Sequence, residues 1–285
     1  MKLLRFGPAG REKPACLDQD GKVRDLSGIL DDIRPESLSE GGLSRLKQLD
    51  LASLPVVENP GRLGTPYAGV GKFICVGLNY SDHAAETGAA PPKEPILFNK
   101  WSPATGPNDP IVLPKGSLKT DWEVELGVVI GSKARYVSLE RAMEHVAGYC
   151  VINDVSEREY QIEREGTWDK GKGCDTFGPI GPWLVTADEV RDPQNLAMWL
   201  DVNGHRFQSG NTATMIFDVA YLVHYISQFT TLYPGDLIST GTPPGVGLGQ
   251  KPPVYLKPGD VVRLGIQGLG EQEQTVHAWD ASLLD

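Results

Sequence analysis

From Thr120 to Gly131 the chain reads Thr-Asp-Trp-Glu-Val-Glu-Leu-Gly-Val-Val-Ile-Gly. Short, β-branched and bounded by glycines, this stretch predicts a strand. Side chains alternate across a strand, so Glu123 and Glu125 share one face while Val124 and Leu126 point the other way. The two acidic Cα atoms then lie roughly 6–7 Å apart. At that separation two carboxylates can converge on one cation. The same spacing occurs on solvated faces and in ion-pair ladders, so the surrounding residues have to decide.

A third acid, Asp154, closes the apolar run Cys150-Val151-Ile152-Asn153, where a strand end meets a predicted helix over 155–166. An aspartate there can simply cap the helix. With the two glutamates it also makes a plausible all-oxygen site, which suits Mg²⁺ or Mn²⁺ better than Zn²⁺. Arg158 and Gln161, four and seven residues further on, can share a helix face aimed at that site. His83 and Glu86 stand three apart on a predicted helix from Asn79 to Thr87, with Ser81 or Asp82 as its cap and Gly88 as its end. A carboxylate beside an imidazole orients it and stabilises its protonated form, as a general base requires. The pair also reads as a surface ion pair. Lys172 lies between glycines that let a ligand approach. Thr242 belongs to a Gly- and Pro-rich loop, 240–247, whose hydroxyls and N–H groups can bind a carboxylate or form only a turn.

The 285 residues carry 33 glycines and 22 prolines, which signals many turns and a β-rich chain. Short strands are predicted at 3–6, 15–18 and 23–26, then one or two helices over 36–50. A connector rich in Pro and Gly ends a small N-terminal domain at residue 66, leaving 67–285 as the larger domain. There strands are predicted at 73–77, 96–99, 111–113, 122–130, 148–153, 183–186, 197–203, 205–208, 237–240, 253–256, 261–266 and 274–279. Further helices are predicted over 138–146 and 212–229. This is mostly β structure with some α (α+β), without the βα alternation of a doubly wound sheet. A net charge of −10 argues against a nucleic-acid binder, and no apolar run is long enough to span a membrane. The four cysteines are scattered without a C-x-x-C, so neither a disulfide framework nor a zinc site is expected. Cys75 and Cys150 read as buried thiols.

Six ordered segments resemble the fumarylacetoacetate hydrolase family. They are Gly77-Leu78-Asn79-Tyr80 with His83 and Glu86, Asp121 to Leu126, Asn153 to Arg158, Lys172 to Pro179, Asn211 to Phe217, and Thr240 to Gly247. The resemblance covers about residues 70–280, and residues 1–66 resemble the smaller N-terminal domain of longer members. It implies a mixed β-roll catalytic fold and a homodimer, and the acidic composition suits a cytoplasmic enzyme. One divalent metal would sit on Glu123, Glu125 and Asp154, with Mg²⁺ favoured and Mn²⁺ or Ca²⁺ as alternatives. It further implies a mobile lid bearing His83 and Glu86 as catalytic residues with Lys172. Tyr80, Arg158, Gln161 and Thr242 match substrate-binding positions, and Thr176 matches a further substrate- or metal-proximal one. Some members add an upstream carboxylate ligand; Asn79-Tyr80 stands there in this chain, so three acidic ligands are expected. The pattern looks closest to members acting on 2,4-diketo-3-deoxy sugar acids, often labelled ureidoglycolate lyase.

These expectations combine into hydrolysis of a C–C bond in a 2,4-dioxo acid, a diketo sugar acid or an acylpyruvate, giving pyruvate and a second acid. Ureidoglycolate cleavage, decarboxylation of a β-keto acid such as oxaloacetate, and isomerisation of 2-hydroxyhepta-2,4-diene-1,7-dioate use related chemistry and stay open. A non-enzymatic binding domain with a structural cation would need the three carboxylates but has no use for the His83–Glu86 pair.

Overall fold

The computed structural model describes residues 1–87 and 90–283. Gly88, the expected end of the second helix, lies outside them. Strands β1 (Lys2–Phe6), β2 (Lys13–Leu17) and β3 (Val23–Asp25) come first, followed by helix α1 (Glu40–Lys47). Next come β4 (Phe73–Gly77), helix α2 (Ser81–Thr87), β5 (Ile96–Asn99), β6 (Ile111–Val112), β7 (Thr120–Asp121) and β8 (Val124–Ile130). Then follow β9 (Val146–Asn153), β10 (Ser156–Glu157), helix α3 (Asp169–Lys172), β11 (Ile180–Thr186), β12 (Ala197–Val202) and β13 (His205–Asn211). Helix α4 (Val219–Ser227), β14 (Leu237–Ser239), β15 (Val261–Ile266) and β16 (Gly270–His277) complete the order.

Nine strands form one mixed sheet in the order β3-β2-β1-β11-β9-β8-β14-β4-β5, and five form a second, β13-β12-β15-β16-β6. Strand alternation sorts the core. Val124, Leu126, Val128 and Val151 join residues of the five-stranded sheet and α4, such as Leu200, Leu264 and Leu222, in one apolar cluster. Val129, Cys150 and Ile152 join Leu3, Leu38 and Phe73 in the other. Residues 1–66 therefore share both a sheet and a core with the rest: β1 pairs with β11, Leu3 opposite Leu184. Cys75 and Cys150 are buried, as their apolar settings predict.

Four predicted elements differ. The helix expected over 155–166 shrinks to a π-helical turn, Glu159–Glu163, because β10 pairs Ser156 and Glu157 with Asp121 and Thr120. The helix expected from 212 begins only at α4, where the Asp218 carboxylate accepts the Tyr221 N–H at 2.7 Å. Upstream, Asn79 takes the Ile216 and Phe217 N–H groups out of any helical pattern. Residues 139–145 form a 3₁₀ rather than an α-helix. The segment 253–256 is no strand: Val254 and Leu256 donate to the isolated carbonyls of Gly247 and Thr120. Among the described residues no helix is long and apolar enough to cross a membrane.

Candidate active site

Antiparallel pairing of β8 with β9 sets Glu125 opposite Ile152 and Val124 opposite Asn153. One step further out, the Asp154 N–H donates to the Glu123 carbonyl at 2.9 Å. Residues 123, 125, 152 and 154 therefore fall on one sheet face, where the apolar lining of Cys150 and Ile152 gives way to acids. Glu123, Glu125 and Asp154 are all buried, and each offers a carboxylate oxygen within 4.8 Å of the others. Burying three carboxylates together requires compensating charge.

That charge comes from three cations. Lys172 Nζ, only 2% exposed, donates to Glu123 Oε2 at 2.8 Å and to Asp154 Oδ2 at 2.7 Å. Lys100 Nζ forms an ion pair with Asp154 Oδ1 and donates to the carbonyls of Val155 and Lys172. Arg158 donates from Nη2 to Glu123 Oε1 at 2.6 Å, from Nε to Asp121 Oδ2 at 2.8 Å, and from Nη1 to Gln161 Oε1 at 2.9 Å. Burial opposes ionisation of Glu123, but the Lys172 and Arg158 charges outweigh it and hold the carboxyl well below its usual range. Burial opposes the charged form of Lys172, but the Asp154 and Glu123 charges outweigh it and keep the ammonium protonated. Among the described residues no cation forms an ion pair with Glu125. It accepts from Ser239 Oγ and the Gly241 N–H, yet burial and the nearby Asp154 and Glu123 push it well above the usual range.

The four buried carboxylates here (Asp121, Glu123, Glu125 and Asp154) thus face three fixed cations. The shortfall falls on Glu125, beside an all-oxygen donor set. That combination fits a hard divalent ion such as Mg²⁺ or Mn²⁺ held by Glu123, Glu125 and Asp154.

On the other side of the cavity, α2 brings His83 Nδ1 to 3.1 Å from Glu86 Oε2. Glu86 also accepts the Gly245 N–H, at 3.1 and 3.2 Å to its two oxygens, which seats the helix against the loop. Gly245 is obligatory there: its φ is +103°, and a Cβ would lie 1.9 Å from the Phe207 carbonyl oxygen. His83, Glu123 and Glu125 line one cavity of about 150 Å³ together with Arg158, Gln161, Lys172 and Thr242, and Asp154 lies beside the two glutamates, bonded to Lys172. Seven of the expected site residues thus line it, His83 among them, with Glu86 bonded to His83.

Two expectations fail. Tyr80 does not reach the cavity. It is fully buried, with its hydroxyl 3.2 Å from Met198 Sδ, because β4 and the turn after it direct the ring into the core. The loop after β14 also does not keep its N–H groups for a ligand. Gly241 donates to Glu125, Gly245 to Glu86, and Gly247 and Leu248 to Asp121. The Thr242 hydroxyl donates to the Val124 carbonyl and accepts from Gln208. The loop is a clamp for the protein's own carboxylates. Asn79 plays a similar part, bonding Phe217 and Thr240 rather than a metal.

Sequence reasoning missed Lys100 and Asp121 as members of the site. Asp121 shares the face of Glu123 at i, i+2 spacing, a signal the same alternation carries. Lys100 follows β5 with no periodic cue, and only the fold shows its burial.

Several known proteins share this arrangement of chain and sheet. A relative from Burkholderia multivorans, whose name says no more than hydrolase, is 64% identical over 280 residues, covering 98% of this chain and 99% of its own. The structure of a fumarylacetoacetate hydrolase from psychrophilic Exiguobacterium antarcticum matches with a TM-score of 0.86 at 37% identity, over 98% of this chain and all of that one. A maleylpyruvate hydrolase from Sphingobium sp. SYK-6, solved with manganese(II) and pyruvate, matches with a TM-score of 0.81 at 29% identity, again over 98% and 100%. Residues 72–277, from β4 to the end of β16, match the family described as fumarylacetoacetate (FAA) hydrolase, C-terminal. With the acids, the lysine and the His–Glu pair all inside that span, the chain belongs to the fumarylacetoacetate hydrolase family.

Proposed function

We propose that this protein is a metal-dependent hydrolase that cleaves the C3–C4 bond of a 2,4-dioxo acid, releasing pyruvate and a second carboxylic acid. The observation that carries the reading is one cavity lined both by Glu123 and Glu125 of the acid cluster and by His83, which is braced by Glu86. A purely structural cation site has no need of that base. The working assembly is a cytoplasmic homodimer and the preferred metal Mg²⁺. The manganese in the maleylpyruvate hydrolase structure supports a divalent ion of this class.

When bound to Glu123, Glu125 and Asp154, the ion would supply Lewis-acid stabilisation of negative charge on the substrate's oxygens. The chain's own groups do the rest. His83, held by Glu86, removes a proton from water as its oxygen bonds to C4. The tetrahedral intermediate collapses with breakage of C3–C4, leaving the electron pair on the three-carbon fragment as an enolate. The Lys172 ammonium, fixed by two carboxylates, is the nearest permanent positive charge for it. The protonated His83 returns the proton to C3, giving pyruvate. Gln161, its carbonyl tied to Arg158, presents its amide to the substrate, and Thr242 forms part of the wall.

The test is pyruvate release, with Mg²⁺ and with chelator, from acylpyruvates, diketo sugar acids and oxaloacetate, with glyoxylate release from ureidoglycolate beside them. Metal-dependent pyruvate with the matching acid as co-product is expected, and His83→Ala should lose it while binding metal normally. Pyruvate from oxaloacetate alone would replace this reading with a decarboxylase. Glyoxylate alone would replace it with a lyase, and silence throughout would favour the isomerase or a non-catalytic binding domain.

A further inference from the structure

The reaction above concerns four carbons; what lies beyond C4 is set by the rest of the cavity. Its polar lining is made up of Glu123, Glu125, Arg158, Gln161 and Lys172, with His83 and Thr242. The remaining wall is built from Leu78, Phe98, Ile162, Trp168, Val246 and Leu248, with Val76 and Gly77 behind. This wall is constructed rather than incidental. The Trp168 ring lies so close to β4 that a Cβ on Gly77 would be 2.3 Å from it, and it tilts against Phe98 with centroids 5.4 Å apart. Leu78 holds a left-handed backbone at φ +52°, a conformation that a leucine adopts only where its surroundings require it.

A second anionic group on the substrate would need a cation of its own. The two cations that line the cavity, Arg158 and Lys172, each already hold two carboxylates. A polyhydroxylated tail would need several donors and acceptors, and burying hydroxyls against aliphatic and indole surface leaves them unsatisfied.

Resting on the hydrolase reading, we infer that the acyl half of the substrate is uncharged and apolar. The substrate class is an acylpyruvate with a short alkyl or aryl group, rather than a diketo sugar acid or a dioxo dicarboxylate.

Two measurements test this. The first is kcat/KM, with Mg²⁺, for 2,4-dioxo acids that share the reacting carbons and end in alkyl, phenyl, polyhydroxyl or carboxylate groups. The second needs no turnover: Kd by calorimetry, with Mn²⁺ present, for 2-oxohexanoate against 2-oxoadipate, which differ only in a terminal methyl or carboxylate. Alkyl or phenyl substrates are expected to lead by at least tenfold, and 2-oxohexanoate to bind at least tenfold tighter. Ile162, half exposed on the π-helical turn, can be changed without opening the core. Ile162→Lys should shrink the Kd ratio severalfold with an unchanged melting temperature. A polyol or dicarboxylate substrate in the lead, or tighter 2-oxoadipate binding, would overturn the inference and leave the hydrolase reading standing. No cleavage of any dioxo acid together with tighter 2-oxohexanoate binding would do the reverse.

Discussion

Replacing Lys172 with methionine preserves much of the side chain and deletes one charge from a cluster that almost excludes water. The Lys172 ammonium is shared by Glu123 and Asp154. Removing one partner of a buried pair costs about 3–5 kcal/mol, because the charge left behind is stranded. Arg158 still reaches Glu123 and Lys100 still reaches Asp154, so the lower end applies, about 3 kcal/mol. For a chain of this size that lowers the melting temperature by roughly 6–12 °C in chelator. A divalent ion reverses the balance. It stabilises either protein by about 2.7 kcal/mol at a hundred times its Kd. The variant's site, poorer by one positive charge, binds it more tightly than the native site does. Scanning calorimetry of both proteins in EDTA and in a Mn²⁺ series reads this directly. The deficit should be large in EDTA and shrink as Mn²⁺ rises. Equal melting temperatures in EDTA, or a deficit that Mn²⁺ leaves unchanged, would refute the charge accounting behind the metal assignment.

Glu86→Gln keeps the shape of α2 but removes the charge that orients His83 and accepts from Gly245; kcat should fall about 10²- to 10³-fold with metal affinity unchanged, read by turnover and Mn²⁺ titration. Glu12 accepts from Arg62 and Arg5. Burial raises its pKa, but the Arg62 hydrogen bond and the two guanidinium charges outweigh that and leave it below its ordinary 4.5. Its contribution is therefore complete above that value and lost as pH falls through the lower folded one. Glu12→Gln should cost about 1.5 kcal/mol at pH 7 and flatten the acid limb of the stability profile in urea melts. Gly77→Ala drives a methyl into Trp168 and should cost about 1–3 kcal/mol of stability, together with a raised KM for any substrate lying on that ring.

Much of the site is legible from alternation alone. The spacing of Glu123 and Glu125, and Asp154 at the end of the next apolar strand, already place three acids on one face once β8 and β9 pair. His83 and Glu86 meet because three residues make nearly one helical turn. What alternation does not encode is which tertiary partner claims a polar group. Asn79 rearranges residues 216 and 217 and so removes the first turns of a helix that the apolar periodicity predicts from 212. Glu125, Glu86 and Asp121 claim N–H groups of the 240–248 loop. Lys100 is a lone lysine after a short strand, and nothing local distinguishes it from a solvated one. Tyr80 sits in a motif beside the site yet turns inward, which depends on the cavity between the two sheets rather than on its neighbours in sequence.

The pairing of Leu3 with Leu184 has a consequence for how the chain is made. During synthesis at about 5–20 residues per second, β1 leaves the ribosome roughly 10–40 s before its neighbour β11 is translated. Until then β1, β2 and β3 have no seat in the nine-stranded sheet, and an apolar strand edge stays open to other nascent chains. The long wait leaves these three strands exposed to mispairing at birth, although in the finished sheet β3 lies at the edge, five strands from β8.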